Sequence, residues 1–369
     1  MTATPATLPE LDTPALLIDL DALETNLAEM AAVAARAGVR LRPHTKTHKS
    51  PEIARMQLQA GAAGITCAKL GEAEVMADAG LDDLLIAYPL VGESKLRRLR
   101  DLLERARVRV SLDSVEVAEG LGRVGRDLGR DVEVLVEVDT GLHRLGCLRG
   151  RTTVELVGQV ARVPGVEVIG LLTHAGHSYR AGGPEERRRV AEREVLDLVE
   201  TAELCRRDGI AIGEISVGST PTARTGAFVD GVTELRPGTY ALNDTTMMRL
   251  GIATEATAAA RVLVTVVARP ADDRFVVDAG SKCFTTDNMG SVPDWLVVAG
   301  RPDLHMDFLS EEHGVGHPAG GGGGVRIGDR LQVIPSHACA CVNLFDVAYG
   351  VRDGRLERRF QIAGRGKVR

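Results

Sequence analysis

From Arg40 to Asp244 the sequence switches between extended and helical patterning in eight successive units, and no other feature restricts the fold as strongly. The extended runs are RLRPHTK (40–46), GITCAKL (64–70), DLLIAYPL (83–90), VRVSLDS (108–114), VEVLVEVDTG (132–141), VEVIGLLTHAG (166–176), EISVGSTPT (214–222) and TELRPGTYALND (233–244). Between them, stretches such as SPEIARMQLQAG and GESKLRRLRDLLERA place apolar residues three and four apart, and glycine closes several of them. Strands separated by helices pair in parallel, because each return must cross over the sheet. The units predict an α/β fold, a (β/α)8 TIM-type barrel, with an open doubly wound sheet as the alternative.

After Leu250 the patterning changes. RVLVTVVARP, RFVVDAG, RIGDRLQVIP and ACVNLFDVAYGVRDGRLERRF are β-rich with hairpin-like turns, which predicts a smaller β-rich C-terminal domain. The expected division is residues 1–25 as an N-terminal strand and helix start joining that β-domain, 26–250 as the barrel, and 251–369 as the β-domain. The AGGGGG run at 319–324 reads as a flexible loop.

A chain of 369 residues exceeds one small core, in keeping with two domains. The net charge of −6, with both signs dispersed, gives no basic footprint for a phosphate backbone, so no nucleic-acid partner is expected. Six scattered cysteines read as reduced thiols. No apolar run approaches the roughly 18 residues of a membrane span, and the N-terminus lacks a signal pattern. A cytoplasmic protein acting on a small molecule is expected.

In a barrel of this kind the active site collects at the C-terminal strand ends. Those ends carry His44, Lys46 and His48; Lys69; Asp139, His143 and Arg144; His174, His177 and Tyr179; Gly218, Ser219 and Thr220; and Arg236, Tyr240 and Asp244. SVGSTPT could cradle an anion on backbone N–H groups and hydroxyls, although the same residues also read as a helix N-cap followed by proline. RPGTY (236–240) could add donors. Neither segment matches a nucleotide-binding fingerprint. A lysine among cations in a pocket loses its proton more readily. Together with an anion cradle, this suggests pyridoxal 5′-phosphate held as a Schiff base, with Lys46 and Lys69 equally suited by spacing and Lys49 less so.

PSHACACVN carries His337 and Cys339 two apart. In a strand they would share one face and could bind a single metal ion, with Cys341 continuing that face. An isolated pair of this kind is also what a buried thiol beside a hydrogen-bonded histidine looks like. Imidazole plus thiolate favours zinc, with manganese as the alternative, and two ligands leave the ion an open coordination sphere.

RPHTKTHK, VDTGLHRLG, THAGHSY, SVGSTPT, ELRPGTYALND and PSHACACVN occur in this order, and with them the chain resembles the D-threonine aldolase and D-serine dehydratase-like family of alanine racemase-like, fold-type III pyridoxal phosphate enzymes. The resemblance runs from DTPALLIDLDALETN to VNLFD. It implies that Lys46 carries the cofactor, that Arg144 lies near its phenolic oxygen, and that Tyr179 approaches its ring nitrogen. It further implies that Gly218, Ser219, Thr220, Gly238, Thr239 and Tyr240 hold the phosphate, that His337 and Cys339 bind a divalent metal (zinc or manganese, with magnesium a further option), and that the protein is a homodimer. Some members carry aspartate where Cys339 stands, so the metal and the reaction stay open. The implied activity is cleavage of a D-β-hydroxy-α-amino acid, D-threonine aldolase first. D-serine dehydratase and 3-hydroxy-D-aspartate aldolase or dehydratase are the alternatives, and a non-catalytic cofactor-binding protein is a distant one.

Overall fold

The computed structural model describes residues 7–287, 295–320 and 324–369. The middle of the glycine run, 321–323, lies outside them. The chain divides into two compact units, one formed by residues 29–46, 54–238 and 366–369, the other by 1–28, 47–53 and 239–365. Neither is a continuous piece of chain, and composition carries no sign of the exchanged segments.

In the first unit, parallel strands Arg40–Leu41, Glu234–Leu235, Glu214–Val217, Val166–Leu172, Val132–Asp139, Arg107–Leu112, Asp83–Ile86 and Ile65–Cys67 lie side by side in that order. A bridge between His44 and Thr66, with the Thr66 N–H donating to Pro43 O at 2.8 Å, joins the last strand to the first, so the sheet is TIM-like. Leu85, Leu135 and Leu172 pack together inside it. Helices alternate with these strands along the chain, and the strands set buried polar side chains, Ser111, Ser216 and Glu234 among them, beside apolar ones. All eight extended segments contain strands, but shorter ones than the sequence suggests. RLRPHTK is a strand only at Arg40–Leu41, because Pro43 has no N–H for the ladder and the chain then turns into a 3-10 helix, Thr45–Thr47.

In the second unit, strands Arg274–Val277, Gly314–Pro318, Leu304–Leu309, Val297–Val298, Arg330–Ile334 and Ala260–Ala271 follow one another antiparallel. Arg274–Val277 pairs again with Ala260–Ala271, closing a β-barrel. Gly316 permits one tight crossing, since a Cβ there would lie 2.3 Å from His305 O and 2.5 Å from the Phe275 ring. The early strand Ala15–Asp19 inserts between Ala260–Ala271, antiparallel, and Val347–Arg352, parallel, burying Ala15, Leu16, Leu17 and Ile18. Val347–Arg352 and Arg355–Gln361 then form the terminal hairpin. The expectation that ACV opens a strand is corrected: Ala338–Val342 is a short helix. Among the described residues no helix is long and apolar enough to cross a membrane.

Candidate active site

Lys46 sits in the Thr45–Thr47 turn, and the turn is clamped on the barrel side. The His44 N–H donates to Pro237 O at 2.9 Å, and Thr45 Oγ1 donates to Glu72 Oε1 at 2.7 Å and to Thr66 O at 3.1 Å. Glu72 is fully buried, and its other oxygen accepts the Ala68 N–H at 2.8 Å. The Lys46 N–H faces His44 Nδ1 at 3.4 Å. The backbone carrying the lysine is thereby fixed, while its side chain is half-buried.

The rival lysines are engaged elsewhere. Lys69 is the N-cap of helix Leu70–Asp78, with its Nζ 3.4 Å from the centre of the Tyr88 ring. Lys49, at φ 51°, is buried with its Nζ donating to Gly364 O at 3.3 Å, just ahead of helix Pro51–Gln59. Lys46 instead lies close enough to His44 and His174 to act on both: burial first, then the Lys46 charge, holds each imidazole well below its usual pKa. Arg144 and Arg236 push in the same direction. Both imidazoles are therefore neutral near pH 7.

Arg144 is exposed, 3.9 Å from Glu137, whose carboxyl burial raises against the pull of Arg144 and Arg236. The preceding loop is shaped by Asp139, which accepts the Gly141 N–H at 2.9 Å and the His143 N–H at 3.1 Å and pairs with His143 Nδ1 at 2.8 Å. Tyr179 lies half-buried in the 3-10 turn Gly176–Arg180.

Ser219 is the N-cap of helix Thr220–Gly226 and forms a capping box with Thr222. The Ser219 N–H goes to Thr222 Oγ1 at 3.1 Å, and the Gly218 N–H goes to the buried Glu194 carboxylate at 3.1 Å. Those two amides thus serve the turn itself. Gly218 stands at φ 111°, a backbone conformation that side chains resist. Gly238 ends a segment of the first unit, while Thr239 and Tyr240 begin the 3-10 turn Thr239–Ala241 of the second, both buried.

Sequence reasoning listed Arg236 only as one polar strand end. In the structure it is a buried guanidinium, donating to Ser216 Oγ and Thr173 O, and its charge bears on His44, His174, Glu137 and Glu194. An arginine directly after the strand Glu234–Leu235 and before Pro237 was the available signal. Lys46, Arg144 and Arg236, with two neutral imidazoles between them, form a cationic donor set that suits a phosphorylated aldehyde.

In the second unit, His337 is the extended N-cap of helix Ala338–Val342, which corrects the expectation of a strand. Its Nδ1 meets Asp287 Oδ2 at 2.8 Å, and the ring hydrogen bonds with Cys339 Sγ. Burial pulls the His337 pKa down, but the neighbouring Cys339 sulfur, the Asp244 charge and the hydrogen bond to Asp287 outweigh it and lift the ring to about 10. Cys339 Sγ also lies 3.2 Å from Thr47 Oγ1 and 3.8 Å from Thr239 Oγ1.

Asp244 ties the segment down by accepting the Ala338 N–H at 2.9 Å. Cys341 is corrected as well: two residues along a helix rotate a side chain by about 200°, so it leaves the Cys339 face. Its buried thiol donates to Cys283 O at 3.1 Å, and burial raises its pKa. Among the described residues no group of three or more His, Cys, Asp or Glu could hold an ion. An imidazole beside a thiol, its far nitrogen steered by a carboxylate, nevertheless fits a divalent metal held by two ligands.

Comparison with known proteins agrees with this layout. Residues 18–246 match the model for the alanine racemase N-terminal domain, and residues 259–351 match a putative serine dehydratase domain. The chain is 37% identical to D-threo-3-hydroxyaspartate dehydratase of Delftia sp., covering 90% of this chain and 92% of that one. It is 36% identical to D-threonine aldolase of Arthrobacter sp., covering 97% and 94%. Among solved structures, D-threonine aldolase from Filomicrobium marinum superposes with a TM-score of 0.93 at 33% identity, over 100% of this chain and 99% of that one.

Proposed function

Because the chain belongs to the alanine racemase-like family that includes the D-threonine aldolases, hydroxyaspartate dehydratases and D-serine dehydratases, we propose that it is a lyase acting at the β-carbon of D-β-hydroxy-α-amino acids, with pyridoxal 5′-phosphate on Lys46 and a divalent ion on His337 and Cys339. The observation that carries this reading is the His337–Cys339 pair with its ring steered by Asp287. A fold that only bound or racemised an amino acid has no use for a Lewis acid. Retro-aldol cleavage to glycine and an aldehyde is the first activity, supported by the whole-chain likeness to the Filomicrobium aldolase.

The bound groups would supply an electron sink at Cα and a Lewis acid at the β-hydroxyl. The chain supplies the rest. Lys46 Nζ would hold the cofactor and, once released from it, would take or return a proton at Cα. Neutral His44 and His174 add no positive charge beside it; His44 Nδ1 accepts the Lys46 N–H, and His174 Nδ1 donates to Gly218 O. Arg144 and Arg236 would offset the cofactor's negative charge, and the Thr220 end of the SVGSTPT loop, with Gly238, Thr239 and Tyr240, would bind its phosphate. His337 and Cys339 hold the ion, for which the nitrogen and sulfur donors favour zinc.

Dehydration to a 2-oxo acid and ammonia is a second reading that one observation favours. D-threo-3-hydroxyaspartate dehydratase has been solved as a His-to-Ala mutant and as a Cys-to-Ala mutant in the metal-free form, the two positions being two residues apart. This chain has the same residue types at that spacing. Incubation with D-threonine, D-serine and D-threo-3-hydroxyaspartate, with and without a chelator, tests both. Glycine formation supports cleavage, 2-oxo acid formation supports dehydration, and turnover indifferent to the chelator sinks the role given to His337 and Cys339. Borohydride trapping and peptide mapping test the lysine, and label on Lys69 or Lys49 would overturn Lys46.

A further inference from the structure

A continuous line of buried polar groups runs through the interior of the parallel barrel, and of its members the strand-end chemistry above uses only Arg236. Arg236 Nη1 donates to Ser216 Oγ at 2.5 Å, and Ser216 donates its own proton to Glu234 Oε1 at 2.7 Å. The other Glu234 oxygen accepts Arg42 Nε at 2.7 Å, and Arg42 reaches Asp83 at 2.5 Å. Ser216 and Glu234 are 0% exposed, Arg42 2% and Arg236 6%.

Stability alone gives no reason for such a line, since well-packed apolar residues in place of a buried ion pair are often as stable. Its geometry does give one. A serine hydroxyl has a single proton, and here that proton is spent on Glu234. Only lone pairs then face Arg236, and the hydroxyl cannot rotate without abandoning a carboxylate. Glu234 is in turn held by Arg42 on one oxygen and Ser216 on the other; burial works against its charge, but the Arg42 charge and the hydrogen bonds from Glu214, Arg42 and Ser216 outweigh it and keep Glu234 ionised. The guanidinium at the end of the line thus has one acceptor in one place, with Thr173 O as the second. Its charge acts on His44 and His174, which also carry the field of Lys46.

We propose that Ser216 and Glu234 are positioning residues, holding the Arg236 guanidinium in the single orientation that a phosphorylated aldehyde bound at Lys46 meets. The inference rests on the cofactor reading above. Arg236 does the touching, and the two residues beneath it act only through it.

The test is a double-mutant cycle read by cofactor uptake. Pyridoxal 5′-phosphate is titrated into the parent, Ser216→Ala, Arg236→Lys and the double variant, following the absorbance of the bound cofactor, with thermal melts in parallel. Ser216→Ala should weaken binding about tenfold and shift the absorbance band, the effect of losing one charge-assisted hydrogen bond. In the Arg236→Lys background the same change should have no further effect. Glu234→Gln should reproduce Ser216→Ala and carries the test should that variant not fold. Equal losses in both backgrounds, or no loss in either, would reject the positioning role. So would failure of both variants to fold, which would make the line a stability element. A parent that takes up no cofactor removes the reading in the preceding section and this one with it, whereas a parent that binds while the cycle is additive removes only this one.

Discussion

Asp287 shows how a residue without a motif can govern one that has a motif. HxC is visible in the sequence, and so are RPHTKTHK and SVGSTPT, because each packs unusual chemistry into a few positions. Asp287 lies fifty positions from its partner, and only the folded second unit brings it to 2.8 Å from His337 Nδ1. Carboxylates that orient a ligating imidazole commonly account for about a 10- to 100-fold share of metal affinity. Asp287→Asn is therefore expected to lower zinc affinity by about that factor, with the fold intact, measured by competition with a chromophoric chelator. Unchanged affinity would mean that the ring is aimed by something else. Arg236 escaped assignment for a related reason: sequence shows that it ends a strand, but its importance comes from burial and from partners on other strands.

At the scale of elements, the strand and helix periods were legible and the terminations were not. Pro43 cuts the first barrel strand to two residues, and the chain after Pro335 forms a helix where alternation suggested a strand. The cause of the second departure is Asp244, whose carboxylate serves two helix starts, accepting Met247 N–H and Ala338 N–H at 2.9 Å each. A carboxylate almost a hundred positions away cannot be read as a cap for His337. Asp244→Ala removes a cap and strands a buried N–H, so it is expected to cost about 3 kcal/mol in denaturant unfolding, with Asp244→Asn retaining part of it. A loss indistinguishable from that of an exposed Asp→Ala change would show that water replaces the carboxylate at both ends.

For the whole molecule, the interior charges of the barrel set how stability depends on pH. Glu214 faces Glu234 inside the barrel; burial, then the Glu234 charge, raises Glu214 to about 7, while Arg42 keeps Glu234 ionised. A carboxyl with a folded pKa above its unfolded value binds its proton more tightly when folded. Its contribution is complete below the unfolded value of 4.5 and is lost as pH rises through about 7. Glu214→Gln should thus raise the melting temperature at pH 8 and change it little near pH 4.5, and a gain of equal size at both would exclude titration as the cause. The barrel and the β-rich unit could both be anticipated from strand grammar. The division of short segments such as 47–53 and 366–369 between them could not, because it depends on long-range packing that no local window of sequence contains.

The ALLID strand, Ala15–Asp19, pairs on one side with Ala260–Ala271 and on the other with Val347–Arg352. On a ribosome, neither partner exists until most of the chain has been made. At ordinary elongation rates this buried apolar strand waits roughly tens of seconds with both edges open. Nascent chains of this protein therefore emerge with a sticky N-terminal segment that only the last third of the sequence can cover.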